Sequence, residues 1–252
     1  MLALFRRSYG GSALVTFAVR TRSILVVAMV TPLTQRIRLR FRKAGPARFF
    51  SHHDIMRLFE RAVRMAEIPI RMTSGFNPHP RISFPLALGL GVEGQSEVAE
   101  LELAEWLSAE EVRKRLAARM PEGMEIVSAK IIPPRAKSMV SDIVYEIDAP
   151  EGETFWNQRI EKILAQPEII VERKKKDATR LVDLRPFLLD LGFKGGIISI
   201  RLKVMREGTA RVDELLYALL GGQAESAIHR RVVRSQVTLI DDAELAKRRM
   251  GQ

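Results

Sequence analysis

Four arginines alternate with apolar residues near the start of the chain. Arg36, Arg38, Arg40 and Arg42 fall on one side of an extended segment, and Ile37, Leu39 and Phe41 fall on the other. On a strand this row spaces its guanidiniums ~6–7 Å apart. Such a row is costly to pack without counter-ions, and phosphate is the anion that guanidinium geometry suits. Lys43 follows directly, and Arg57, Arg61 and Arg64 form a second stripe at i, i+4 and i+7. The competing reading is a solvated face, or one neutralised by acids elsewhere in the chain.

Two further groups carry candidate chemistry. Ser74-Gly75-Phe76-Asn77-Pro78-His79-Pro80 pairs a glycine that permits positive φ with two prolines that fix their own φ and extend Asn77 and His79. A braced loop presenting Phe76, Asn77 and His79 suits stacking and polar readout; the plainer reading is a turn stiffened for stability. Ser51-His52-His53-Asp54 brings two of the four histidines to one helix start. With His79 they offer an acid–base pair, His52 and His79, for metal-independent RNA cleavage. Histidines with Asp54 also suit zinc or iron, but helix capping alone explains Ser51 and Asp54, so no metal is assigned.

Other motifs fail on context. Gly89-Leu90-Gly91-Val92-Glu93-Gly94 matches a dinucleotide fingerprint, yet the alternating Glu97–Leu103 that follows reads as a strand, so the glycines belong to a hairpin loop. Lys174-Lys175-Lys176 reads as a basic loop. Cysteine is absent, which removes disulfides, thiol catalysis and thiolate-held clusters and suits a reducing, cytoplasmic location.

The elements that must position these residues repeat in order. Arg36–Lys43 reads as a strand, 53–66 as a helix capped at Ser51 and ended by Pro69, then extended segments at 69–73, 81–86 and 97–103. A capping box at Ser108 and Glu111 opens a helix to about 119, and 124–132 closes as a strand. From 141 the order recurs: strand 143–149, helix 153–165, strands 169–173 and 197–205, helix 211–220, strand 232–240. The expected class is α+β, two tandem ferredoxin-like β-α-β-β-α-β units at 35–134 and 135–240, joined near Pro133-Pro134.

Residues 1–34 hold four arginines, no acid and two short apolar runs, neither of them long enough for a membrane helix. They read as a leader, disordered or not translated, with Met29 as the true start; a transit signal and a folded element are the other readings. Residues 241–252 read as a charged tail. The net charge is +11, with +12 carried by residues 1–81 and −1 by the remainder, which points the first third toward an anionic partner.

Arg40-Phe41-Arg42-Lys43-Ala44-Gly45, Arg48-Phe49-Phe50-Ser51-His52-His53-Asp54, Arg57, Glu60-Arg61-Ala62, Pro69, Ser74 to Pro80 and Ser83-Phe84 together resemble the radical SAM-linked protein family. Val182-Asp183-Leu184-Arg185-Pro186 resembles its second-half motif, adding Asp183 and Arg185 to the candidate site. His53 stands where that family has an apolar residue, so His52 is the preferred histidine. The resemblance implies an accessory protein, with no cofactor of its own, acting beside a radical SAM enzyme. With the charge pattern, the expectation is RNA binding in RNA modification, off the membrane. The alternatives are the RNA-cleaving pair and a protein-docking module for an acidic partner.

Overall fold

A computed structural model describes residues 34–134, 136, 138–175, 178–206, 208–222 and 230–240, and within 1–33 only the strand residues β1 (Ser8–Tyr9), β2 (Ser12–Ala13), β3 (Thr16–Thr21) and β4 (Ile24–Met29). β1 pairs with β2, and β3 with β4, as antiparallel hairpins within the stretch read as a leader. The tail from 241 and the side chains of Lys174 to Lys176 lie outside the described residues.

The first half runs β5 (Gln35–Lys43), a 3-10 turn (Gly45–Phe49), α1 (His52–Met65), β6 (Ile82–Ser83), β7 (Glu93–Leu103), α2 (Ala109–Ala117) and β8 (Met124–Ile132). The second runs β9 (Val140–Asp148), α3 (Glu153–Leu164), β10 (Ile170–Lys175), β11 (Ala178–Asp183), a 3-10 turn (Arg185–Phe187), β12 (Leu188–Lys194), β13 (Ile197–Lys203), α4 (Val212–Leu219) and β14 (Val232–Leu239). The protein is α+β, dominated by one mixed eight-stranded sheet in the order β12-β13-β9-β14-β7-β5-β8, with β6 against β7. All pairings in it are antiparallel except β14 with β7, a short parallel contact of Val233 with Glu93 and Arg234 with Gly94. No helix among the described residues is long and apolar enough to cross a membrane.

Period-two patterning builds the first core. Ile37, Leu39 and Phe41 are buried on one face of β5, as the alternation predicts, against Ile55, Phe59, Ala62 and Val63 of α1. Burying each of the large side chains contributes about 1.5–3 kcal/mol. Phe41, Phe59 and Phe84 meet edge to face, with centroids 5.0 Å apart for Phe41–Phe59 and 5.3 Å for Phe59–Phe84. A second core gathers Trp156, Ile160, Ile198, Ile200 and Leu215 around β9 and β13.

The second half differs from the sequence reading between 169 and 194, where Lys174 and Lys175, read as a loop, continue the strand β10. The segment expected as the second strand of the later unit, 169–173, pairs instead with β11 in a hairpin outside the main sheet, and β12 takes the place beside β13. Asp190 and Gly192 break the alternation of β12, so periodicity did not announce it.

Candidate nucleic-acid interface

The arginines of β5 are turned inward on their own molecule. Register sets Arg38 opposite Glu100 of β7, and Glu100, itself buried, accepts from Arg36 Nη2 at 2.9 Å and Arg38 Nε at 3.0 Å. Arg36 also donates to the Ala136 carbonyl in the link between the halves, and Ser138 donates to the same carboxylate. Arg40 reaches across β7 to the carbonyls of Ser96 (2.9 Å) and Val237 (2.8 Å), and burial, with Arg38 beside it, lowers its pKa. Only Arg42 is exposed, 4.0 Å from an equally exposed Glu125. The guanidiniums of the expected cationic face are therefore mostly committed to partners within the molecule.

Lys43 is a sharper departure. It is 0 % exposed, and its ammonium donates to the carbonyls of Arg48 (3.1 Å), Phe50 (3.3 Å) and Gly89 (3.4 Å). Alternation had already placed it on the side of Ile37, Leu39 and Phe41, a signal that the run of neighbouring cations masked.

On α1 the arrangement reverses. Ser51 caps the helix: its hydroxyl accepts from the Asp54 amide at 3.2 Å and donates to Asp54 Oδ2 at 2.7 Å, while its own amide donates to that oxygen at 2.9 Å. These bonds hold the Asp54 carboxyl below its ordinary pKa and occupy both residues in structure. Beyond the cap, His53, Arg57, Arg61 and Arg64 follow one exposed stripe, and none of the three arginines has an ion-pair partner among the described residues. His52 is half-buried, its ring edge-on to Phe84 at 5.6 Å, and burial with His53 beside it lowers its pKa. The histidine the resemblance favoured is thus the packed one, and the one it discounted faces solvent.

The loop 74–80 is rooted on the sheet edge. Arg71 N donates to the Glu102 carbonyl at 2.7 Å, Glu102 N to that of Arg81 at 3.0 Å, and Arg81 N to that of Arg71 at 2.8 Å. Thr73 and His79 close it, amide to carbonyl at 2.8 Å and His79 amide to Thr73 Oγ1 at 2.9 Å. Gly75 has φ +136°, a conformation that L side chains rarely adopt, and beside it Phe76 is fully exposed. Asn77 and His79 are also exposed. The loop follows α1 in the chain, and Phe84, just beyond it, meets the ring of His52 at the helix start. Among the described residues no ring contact or hydrogen bond joins His79 to His52, and no three His, Asp or Glu side chains gather at metal-binding spacing.

Asp183 serves a turn: Oδ1 accepts from the amides of Ile169 (2.8 Å) and Arg185 (2.9 Å), closing the base of the β10–β11 hairpin. Arg185 is half-buried there.

Sequence reasoning missed the seam between the halves. Arg234 of β14, 1 % exposed, is held by Glu97 of β7 through two hydrogen bonds and donates to the Ala87 carbonyl at 3.0 Å. Gly94 makes room for this pair, since a Cβ there would lie 2.6 Å from Glu97 Cγ. Glu93, also buried, binds Arg231 at 2.8 Å. No local pattern announces such partners, because they are far apart in the chain.

Fold and surface define an α+β protein with an open cationic helix and an exposed aromatic loop on one half of a shared sheet. Its sequence matches, over residues 36–214, the profile of a family described as "uncharacterized protein conserved in bacteria" (DUF2344), and the chain belongs to that family. No curated protein matches it in sequence. Among solved structures, the crystal structure of an unknown protein from Galdieria sulphuraria aligns at 12 % identity over 83 % of this chain and 100 % of that chain, with a TM-score of 0.24.

Proposed function

We propose that this chain is a non-catalytic protein that binds single-stranded RNA through α1 and the loop 74–80, as an accessory to a radical SAM enzyme in RNA modification. The observation that carries the reading is the stripe Arg57, Arg61 and Arg64, exposed and with no carboxylate within 4.0 Å among the described residues, the Asp54 carboxyl acting on Arg57 only at longer range. Guanidiniums in this state meet phosphates without first breaking an internal pair. The exposed Phe76 supplies a stacking surface and Asn77 and His79 supply polar groups for unpaired bases. The radical SAM partner rests on the motif resemblance alone.

We propose further that each half is a ferredoxin-like unit. Both place their fourth, first, third and second sheet strands in that spatial order, β8-β5-β7-β6 and β14-β9-β13-β12, with the β10–β11 hairpin as an insertion in the second.

The test is the salt dependence of binding to a labelled single-stranded RNA, followed by fluorescence anisotropy. Each phosphate contact contributes a slope of about 0.7 in log affinity against log salt. Replacing Arg57, Arg61 and Arg64 together by Gln is expected to remove two to three such contacts, a drop in slope of about 1.4–2.1. An unchanged slope overturns the reading and leaves docking to an acidic protein ahead.

A further inference from the structure

A half-open cavity of about 540 Å³ lies at the seam between the two halves. That volume is in the range of small-molecule sites. One wall is the glycine-rich connection 86–92; the other is the start of α4 with parts of β9 and β14. The first wall is tied back to its own half. Gly91 N donates to the Arg48 carbonyl at 2.9 Å, and the buried Lys43 ammonium reaches the Gly89 carbonyl at 3.4 Å. The dinucleotide-like glycines thus serve a different end from the one their spacing suggests.

The lining is apolar surface that the fold leaves incompletely covered. Leu88, Ile143 and Leu216 are buried and line it. Leu86, Val92 and Val232 pack against the second core and still keep part of their surface open to the cavity. Removing such surface from water favours an apolar occupant. The charged side chains of the lining are Arg211, Arg230, Arg234 and Asp213, and the fold already engages each of them. Glu97 holds Arg234 through two hydrogen bonds, and Tyr145 bonds the same guanidinium. Glu151 binds Arg230, which also lies over the Trp156 ring at 5.2 Å, and Glu214 is 3.9 Å from Arg211. Asp213 stands in the first turn of α4, where the helix N-terminus favours a carboxylate. An anion would have to displace one of these carboxylates, and a cation would meet three guanidiniums. Charge of either sign is therefore disfavoured.

We propose that this cavity binds an uncharged, apolar small molecule, seated against Leu88, Ile143 and Leu216. The proposal does not rest on the RNA reading.

Two fluorescent probes with one skeleton test it on the full chain: N-phenyl-1-naphthylamine, which is uncharged, and its ring sulfonate, which is an anion. The uncharged probe is expected to bind saturably with enhanced emission, and the sulfonate about ten-fold more weakly or not at all. Octanol should displace the bound probe, while octanoate and octylammonium at the same concentration should not. Leu90→Asp, at an exposed position of the lining, replaces an apolar contact by a charge and should lower affinity for the uncharged probe about ten-fold. Val232→Phe adds bulk to the lining and should lower it as well. Both variants are measured on protein whose thermal unfolding remains cooperative, and Leu90→Asp keeps the test open if Val232→Phe does not fold. Absence of saturable binding, a sulfonate that binds as tightly, displacement by either charged octyl compound as effective as by octanol, or an affinity that does not fall in either folded variant overturns the proposal.

Discussion

The arginines of β5 and of α1 are the same residue type in the same half of the molecule, yet their surroundings are opposite. Arg36 and Arg38 share the buried carboxylate of Glu100, and Arg40 is spent on two carbonyls. Arg57, Arg61 and Arg64 face water without ion-pair partners among the described residues. A count of positive charge treats the two sets alike. Physically they are not alike, because a guanidinium already bonded to a buried carboxylate must lose that pairing before it can meet a phosphate, and breaking such a pair costs several kcal/mol. The lesson is that a basic segment marks an anion site only where the structure leaves its charges uncommitted.

The largest test of this contrast is Glu100→Ala. It leaves two largely buried guanidiniums without their carboxylate, and a loss of about 3 kcal/mol or more is expected in urea unfolding. The salt slope for RNA should stay at the wild-type value. A fall in slope as large as that of the triple α1 variant would return β5 to the binding surface and break the comparison.

A smaller, pH-dependent effect belongs to Lys43 at the end of the same strand. Burial pushes its ammonium down to about 8 from an ordinary 10.5, partly offset by Glu97 and reinforced by Arg234. With the folded value lower than the unfolded one, the unfolded chain holds the extra proton between the two. Stability should therefore rise as pH increases from about 8 toward 10.5, and the penalty is fully present below 8. Lys43→Met should flatten that rise, measured as the urea midpoint across the alkaline range. An identical alkaline profile in the variant would show that the ammonium is not desolvated there.

The smallest effect is expected at the start of α1. Ser51→Ala removes the cap and should cost about 1 kcal/mol while leaving the salt slope unchanged. Because Ser51 holds the Asp54 carboxyl below its ordinary 3.8, the stabilisation is present above that value and is lost as pH falls through the lower folded one. The variant should accordingly show a weaker decline in stability on acidification. A changed salt slope would show that the cap, and not only the arginine stripe, contributes to binding.

Much of the site's local structure was legible from residue spacing. The apolar face of β5, the inner face of α1, the Ser51 cap and the braced loop at Gly75 are all short-range patterns. Two elements were less so: β12, whose Asp190 and Gly192 obscure its alternation, and Lys43, whose alternation was overruled by its basic neighbours. His52 and His79 are a different case, since no ring contact or hydrogen bond joins them among the described residues. Proline and glycine determine how a loop is braced, but its anchoring through Arg71, Arg81 and Glu102 is made by sheet bonds distant in the chain.

By itself the sequence determined which side chains of β5 and α1 turn inward, since periods of two and 3.6 follow from backbone geometry. It also determined the α+β class, the capped start of α1 and the excess of positive charge in the first third. Only the tertiary structure decided which charges remain available. Strand register brought Glu100 beside Arg36 and Arg38, the link between the halves covered them, and the parallel meeting of β7 with β14 made the seam that holds Glu97, Arg234 and the cavity. Those partners are separated by many residues along the chain. No local pattern encodes their pairing, because it depends on the summed burial and hydrogen bonding of the whole sheet.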